Sequence, residues 1–329
     1  MKYTLFLLFQ LLAGTLTAAD TLRVVRVNDQ KAFPKAIPAG NYSGIVPIDS
    51  GLYAVVSDKG DDGFFVFDIR LDSLSGDILR ANNAGFRPSG LSNRDAEGIA
   101  WWPDGHTIMT TGEGDGLLRE YNMDGTPTIR QVPLPKASAL YGYESLCYDA
   151  SLRTFWTCPE STLEMDGAQA SPQNPIHNRI RVQRYDEALQ PAGDYLYTMD
   201  LPEARNMGLH YAFGVSELLA VGDGSLLVLE REFYVPTSKI GAWAQCKLYQ
   251  CWPFSSSDEP EGHPESTHKH LLHEWRTSLG LFGRTLANYE GMCWGPSTAD
   301  GARVLLLIAD SQDQYAGVLK DYLMTIVVR

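Results

Sequence analysis

One pattern constrains this chain more than any other: a short segment that recurs five times along its length. Four copies read Asp95-Ala96-Glu97-Gly98-Ile99, Tyr143-Glu144-Ser145-Leu146, Ser216-Glu217-Leu218-Leu219 and Tyr289-Glu290-Gly291-Met292, each an acid followed by an apolar run. After each run come a turn and a second apolar run, with Asp104-Gly105, Ala150-Ser151, Asp223-Gly224 and Asp300-Gly301 at the turns. Alternating apolar runs joined by such turns are hairpins. The second runs close on Glu113, Glu160, Glu230 and Asp310, and a degenerate fifth copy lies upstream with Ser43-Gly44, the turn Ser50-Gly51 and the closing acid Asp58. Third strands are expected at 64–67, 117–121, 180–185 and 243–249, and fourth strands at 129–132, 195–199 and 270–275. Four strands per unit, repeated, predict an all-β ring of blades, a β-propeller.

Repeat starts at 43, 97, 144, 217 and 290 favour five blades. Six would need an extra blade carved from one of the polar insertions, 164–178 or 252–266. The last copy has only three strands, so Leu22–Val27 is expected to supply its outer strand and close the ring. Met1–Ala19 has Lys2, an apolar run at 5–12 and small residues at 17–19, the pattern of a secretory signal peptide. The organisation expected is therefore a signal peptide over 1–19 and one propeller domain over 20–329, exported to the periplasm or secreted.

The chain has 27 Lys plus Arg against 40 Asp plus Glu, a net charge of −13. That balance disfavours nucleic acid or an anionic membrane surface as the main partner and favours cations. No second segment approaches the roughly 20 apolar residues of a membrane span. Export permits disulfides: Cys246 and Cys251 are close enough in sequence to be expected as a pair, and Cys147 and Cys158, on two arms of a hairpin, could pair as well, the favoured alternative being that Cys147 and Cys293 are small buried hydrophobes.

In a propeller the starts of successive innermost strands converge on the axis. Ser43, Glu97, Glu144, Glu217 and Glu290 would then meet there. Carboxylates at close range must take up protons or bind a cation, and oxygen-only donors favour Ca²⁺; the alternative is that each Glu satisfies backbone donors of a neighbouring blade. Arg231 and Arg94 are candidates to orient an anionic or ester substrate, the alternative for Arg231 being a buried ion pair with Glu160 or Glu230. His210, just before a first strand, is a candidate general base. His268 and His270 read as an exposed polar strand.

The segments Arg94-Asp95-Ala96-Glu97-Gly98, Asp223–Arg231 and Asn288-Tyr289-Glu290-Gly291-Met292 resemble the exported phytase-like family, also described as the esterase-like activity of phytase, from about Ser43 to the C-terminus. The strand-start glutamates also resemble those around the axial calcium of calcium-dependent soluble apyrases, which implies that Ser43, Glu97, Glu144, Glu217 and Glu290 are metal ligands. At Glu144-Ser145 and Glu217-Leu218 no glycine follows the acid, a departure from the phytase-like pattern. The resulting expectation is an exported calcium-dependent hydrolase of a small phosphoester or ester. The rival is a non-catalytic propeller that binds glycan, peptide or envelope material.

Overall fold

A computed structural model describes residues 21–38, 40–137, 141–253, 268–281, 283–310 and 320–329. The signal-peptide reading over 1–19, and most of the insertion at 252–266, lie outside the described residues. The described chain is a ring of five antiparallel blades, as the repeats predict, with a single 3₁₀ turn (Glu164–Asp166) as its only helical element among those residues.

The chain opens with β1 (Val24–Val27) and β2 (Lys31–Ala32). Blade one follows as β3 (Tyr42–Asp49), β4 (Leu52–Ser57), β5 (Gly63–Leu71) and β6 (Ile78–Pro88); β6 is a fourth strand the sequence pattern did not single out. Blade two is β7 (Ala96–Trp102), β8 (Thr107–Gly112), β9 (Leu117–Asn122) and β10 (Pro127–Pro133). Blade three is β11 (Ser145–Asp149), β12 (Thr154–Cys158), β13 (Arg179–Asp186) and β14 (Pro191–Thr198). Blade four is β15 (His210–Ala220), β16 (Leu226–Val235), β17 (Ala242–Trp252) and β18 (His268–Leu279). Blade five is β19 (Asn288–Gly295), β20 (Arg303–Asp310) and β21 (Tyr322–Val328), completed by β1, which pairs antiparallel with β21. The first and last strands of the described chain are thereby fastened in one sheet.

Each innermost strand packs on the next, in the cycle β3, β7, β11, β15, β19 and back to β3. The second strands are buried on both faces, because each is sandwiched between two blades; this is why they read as unbroken apolar runs rather than as alternations. The core is accordingly divided among the five blade interfaces. Ala54, Val56 and Phe64 of blade one meet Ile99, Ile108 and Tyr121 of blade two. Met109 and Leu118 meet Leu146 and Phe155, Trp156 and Val182 meet Val215 and Val228, Leu229 and Leu248 meet Met292 and Leu305, and Leu306 and Ile308 meet Ile45 and Val55.

Close approach at the axis explains the small residue that follows the repeated acid. A Cβ on Gly98 would lie 2.6 Å from the Ser145 carbonyl carbon, and one on Gly291 would lie 2.4 Å from the Ser43 carbonyl oxygen. Only a residue without a side chain lets neighbouring first strands come this near.

The expected Cys246–Cys251 disulfide is not formed: all five cysteines are free and buried, which bears out the reading of Cys147 and Cys293 as small buried hydrophobes. Cys246 and Cys251 are five positions apart on β17, so they point to opposite faces. Cys246 enters the interface with blade five, and Cys251 the interface with blade three. In the hairpin, Cys147 lies opposite Trp156 and Cys158 opposite Ser145. The two are diagonal neighbours about 7–8 Å apart, well beyond the ~3.8 Å between Cβ atoms that a disulfide requires. Cys158 instead contacts the Ser145 hydroxyl at 3.2 Å. Thiol titration of the denatured, never-reduced protein is expected to count five thiols; three or one would contradict this packing.

Candidate functional site: an acidic channel mouth

A bulge recurs near the start of four first strands, falling between Tyr42 and Ile45, Ala96 and Ile99, Val215 and Glu217, and Tyr289 and Gly291. Such a bulge re-aims one side chain out of the ladder, and here it places Ser43, Glu97, Ser216 and Glu290 at one equivalent position. Glu144, immediately before β11, is the fifth member. Glu217 is therefore one residue out of register. It is buried away from the mouth, where its carboxyl accepts from the backbone N–H groups of Leu146 at 3.2 Å and Leu218 at 2.9 Å. This corrects the expectation that Glu217 is a metal ligand: it ties blade four to blade three, because a one-residue slip along a strand reverses the face a side chain takes.

The second strands carry a parallel ring. Asp58, Glu113 and Glu160 follow β4, β8 and β12, and Asp310 ends β20. In blade four the same one-residue offset puts Arg231, not Glu230, in this ring. Fifteen residues separate Ser216 from Arg231, as they separate Ser43 from Asp58, and that spacing was the available sequence signal. Glu230 faces the other way, accepting from Tyr197 Oη and Lys269 Nζ, both at 2.7 Å.

Together these residues line a cavity of about 450 Å³. Its floor is Asp58, Glu97, Glu113, Glu144, Glu160, Glu290 and Asp310 with Arg231, and Tyr141, Met207, Tyr211 and Ala212 complete its wall. Arg231 is 4% exposed and, among the described residues that line the cavity, is the one cation beside seven carboxyls. Its Nη2 donates to Glu160 at 2.6 Å and its Nη1 to Asn288 at 3.2 Å, with Glu290 3.4 Å away. It thus bridges blades three, four and five. Burial works against its charge, yet Glu160, Glu290 and Glu144 outweigh burial and hold it cationic. The ion-pair alternative for Arg231 is the one observed, with Glu160 rather than Glu230 as partner.

On the other side the paired cation is the exposed Lys59, whose Nζ lies 3.5 Å from Asp58 Oδ2. There Asp58, Asp95 and Glu97 bring carboxyl oxygens within 4.8 Å of one another, as do Glu97, Glu113 and Glu144, so that Glu97 belongs to both groups. Burial, then Glu290, pushes the Glu97 carboxyl well above the ordinary carboxylate range, while a hydrogen bond from Ser43 partly opposes this. Burial, then Glu97, does the same to Glu144, and burial followed by Asp310 to Glu290. Asp58, Asp95 and Glu113 are raised chiefly by burial as well. Asp58 Oδ1 is buried with no hydrogen-bond partner.

Two other candidates do not reach the cavity. Every N–H of Arg94 is used: Nε and Nη2 fork onto Asp115 at 2.6 and 2.9 Å, and the remaining donors go to Thr110, Tyr121 and the Leu117 carbonyl. It pins the β8–β9 turn and has no donor left for a substrate. His210 is exposed at the first residue of β15, opposite Val235 in the ladder, and is not part of the cavity lining. His268 and His270 are exposed on the outermost strand of blade four, as expected.

Fold and site together define a five-bladed propeller with an acidic channel mouth. The model of the phytase-like family, described as the esterase-like activity of phytase, matches residues 37–312, and the chain belongs to that family. Among solved structures the chain is similar to a luciferin-regenerating enzyme at 8% identity, covering 91% of this chain and 94% of that one with a TM-score of 0.46. It is also similar to a calcium structure of the carbohydrate-active enzyme family AA12 of Trichoderma reesei, at 9% identity, 94% and 96% coverage and a TM-score of 0.44. A streptogramin B lyase aligns at 12% identity, 91% and 97% coverage and a TM-score of 0.39. A search of curated proteins gives no match.

Glu217→Gln and Glu97→Gln separate structural from ligand carboxyls. A glutamine at 217 keeps an oxygen to accept from Leu146 and Leu218, so a calcium-induced rise in melting temperature is expected to persist. At 97 the same change removes the carboxylate common to both acidic groups, and the rise is expected to shrink sharply. Equal responses in the two variants would place both glutamates in one class.

Proposed function

We propose that this chain is an exported calcium-dependent hydrolase of a phosphoester or ester, with its cation at the channel mouth. The carrying observation is the crowding of carboxyls around Glu97: Asp58, Asp95 and Glu97, and again Glu97, Glu113 and Glu144, bring oxygens within 4.8 Å of one another, with only the exposed Lys59, 3.5 Å from Asp58, paired to this group among the described residues. With Glu97 buried and its neighbours half-buried, carboxyls this close must take up protons or bind a cation. The donors are all oxygens, which suits Ca²⁺, and Asp58, whose Oδ2 meets Asn41 and Lys59, keeps its Oδ1 without a hydrogen-bond partner among the described residues. On this reading Glu97, Glu113 and Glu144, with Asp58 and Asp95, hold the ion. Ser43 orients Glu97, and Glu290 belongs to Arg231 rather than to the ion.

A bound Ca²⁺ supplies a Lewis acid for the scissile group and lowers the pKa of a coordinated water. The chain's own residues do the rest. Arg231 keeps Glu160 and Glu290 fixed at the back of the cavity, so that excess negative charge does not repel an anionic substrate from that side. Tyr141 and Tyr211 line the same cavity and give it an apolar side. No helix among the described residues is long and apolar enough to cross a membrane, and Met1–Ala19 is proposed as the signal peptide ahead of one propeller domain over 20–329.

The test is hydrolysis of p-nitrophenyl phosphate, nucleotides and simple esters by chelated protein before and after Ca²⁺ is restored. Turnover only with the metal supports the enzyme reading. Metal-dependent binding with no turnover on any of these would favour the binding-protein alternative.

A further inference from the structure

Blade four is built differently from the others. β15 begins six residues ahead of Ser216, whereas β7 and β19 begin only one and two residues ahead of Glu97 and Glu290. At ~3.3 Å per residue this carries its first strand about 13 Å past the starts of the other first strands. The extension brings Tyr211 and Ala212 to the cavity, with Met207 just before it, and Tyr141 joins them from the segment leading into blade three. Two aromatic rings and a thioether thus line the same cavity as the carboxyls and form its apolar wall.

Tyr211 is held in place before any ligand arrives. Its hydroxyl donates to Glu232 Oε1 at 2.9 Å, and the Glu232 carboxylate, itself 3% exposed, accepts from the backbone N–H groups of Glu203 at 2.8 Å and Ala204 at 2.9 Å. The Tyr141 hydroxyl is hydrogen-bonded to Gln169. Rings anchored by their polar ends leave their edges and faces to apolar contact and lose little freedom on binding. Met207 supplies an adaptable surface beside them. A cavity of about 450 Å³ is of the size that encloses one small organic molecule.

We propose that this wall receives a planar ring, so that the preferred substrates are aryl phosphoesters, with the phosphoryl group over Glu97 and Glu144 and the ring against Tyr141, Met207 and Tyr211. The proposal rests on the cation-at-the-mouth reading above and adds the substrate class. In the hydrolysis, a water oxygen bonds to phosphorus and the bond from phosphorus to the aryl oxygen breaks. One water proton ends on the departing phenol and the other stays on the phosphate.

The decisive probes are phenylphosphonate and methylphosphonate, which share a head group and cannot be hydrolysed, titrated calorimetrically into the full chain with Ca²⁺. Phenylphosphonate is expected to bind about tenfold more tightly. Tyr211→Ala is expected to bring it close to methylphosphonate, and Tyr211→Phe, which keeps the ring, to retain most of the difference. Melting curves of both variants report whether they are folded, and the wild-type comparison stands without them. Equal affinity of the two phosphonates for the wild type overturns the ring wall while leaving the cation reading intact. Failure of both to bind, with and without Ca²⁺, overturns the cation reading and this proposal with it.

Discussion

Arg231→Ala is expected to destabilise the protein by roughly 3–5 kcal/mol, the range for breaking one side of a buried ion pair. The loss comes less from the missing contacts than from Glu160, 4% exposed, and Glu290, 7% exposed, left without a counter-charge in the wall of the channel. At roughly 2 °C per kcal/mol for a chain of this size, melting should fall by about 6–10 °C. The effect should grow with pH, since protonating Glu160 and Glu290 is the way the variant relieves the imbalance. Arg231→Lys keeps one charge near Glu160 but cannot reach Asn288 and Glu290 at once, so its loss should be smaller. A double-mutant cycle with Glu160→Gln gives the coupling directly. A melting temperature unmoved in Arg231→Ala would remove this residue as the charge balance of the mouth.

The ring of blades was legible because it is written in repetition. Hairpin turns at Asp104-Gly105, Asp223-Gly224 and Asp300-Gly301 and apolar runs between them mark the same strands in sequence and structure. The fourth strand of blade one was not, since β6 is rich in polar and charged residues and half-exposed, and period-two patterning fades on an outer strand. The axial glutamates were legible where a small residue follows them, because the steric demand at Gly98 and Gly291 leaves a trace in the sequence. In blade four that trace is missing. The adjacent pair Ser216-Glu217 offers two residues for one bulge position, and an acid at the wrong one of them looks like a ligand. The same offset hid Arg231 behind Glu230, and with it the ion pair that links Arg231 to Glu160. The cysteines misled for a related reason. Sequence distance between Cys246 and Cys251 is short, but strand parity sends them into different interfaces. The wall residues Tyr141, Met207 and Tyr211 carried no signal of their own, because nothing in the repeats announces that β15 extends past the rim.

Calcium is expected to raise the melting temperature, and the size of the rise should depend on pH in a definite sense. A ligand at 100 times its dissociation constant that binds only the folded chain stabilises it by ~2.7 kcal/mol. In the metal-free protein, burial and neighbouring acids lift the carboxyls of Glu97, Glu144 and Glu290 well above the ordinary 4.5. Above that value the unfolded chain sheds protons that the folded chain keeps, so the folded state binds more protons and stability falls as pH rises through the folded pKa values. Metal-free protein should therefore melt higher at pH 5.5 than at pH 8. Ca²⁺ replaces the protons on Glu97 and Glu144, so its benefit should be small at the acid end and full at pH 8, and calorimetric titrations in buffers of different ionisation heat should register proton release. Glu97→Gln gives the complementary result. It removes a group that must otherwise stay protonated, so without metal the variant should equal or exceed the wild type at pH 8, while losing most of the calcium response. A wild type whose melting ignores both chelator and pH across this range would mean that the channel carboxyls balance one another without a cation.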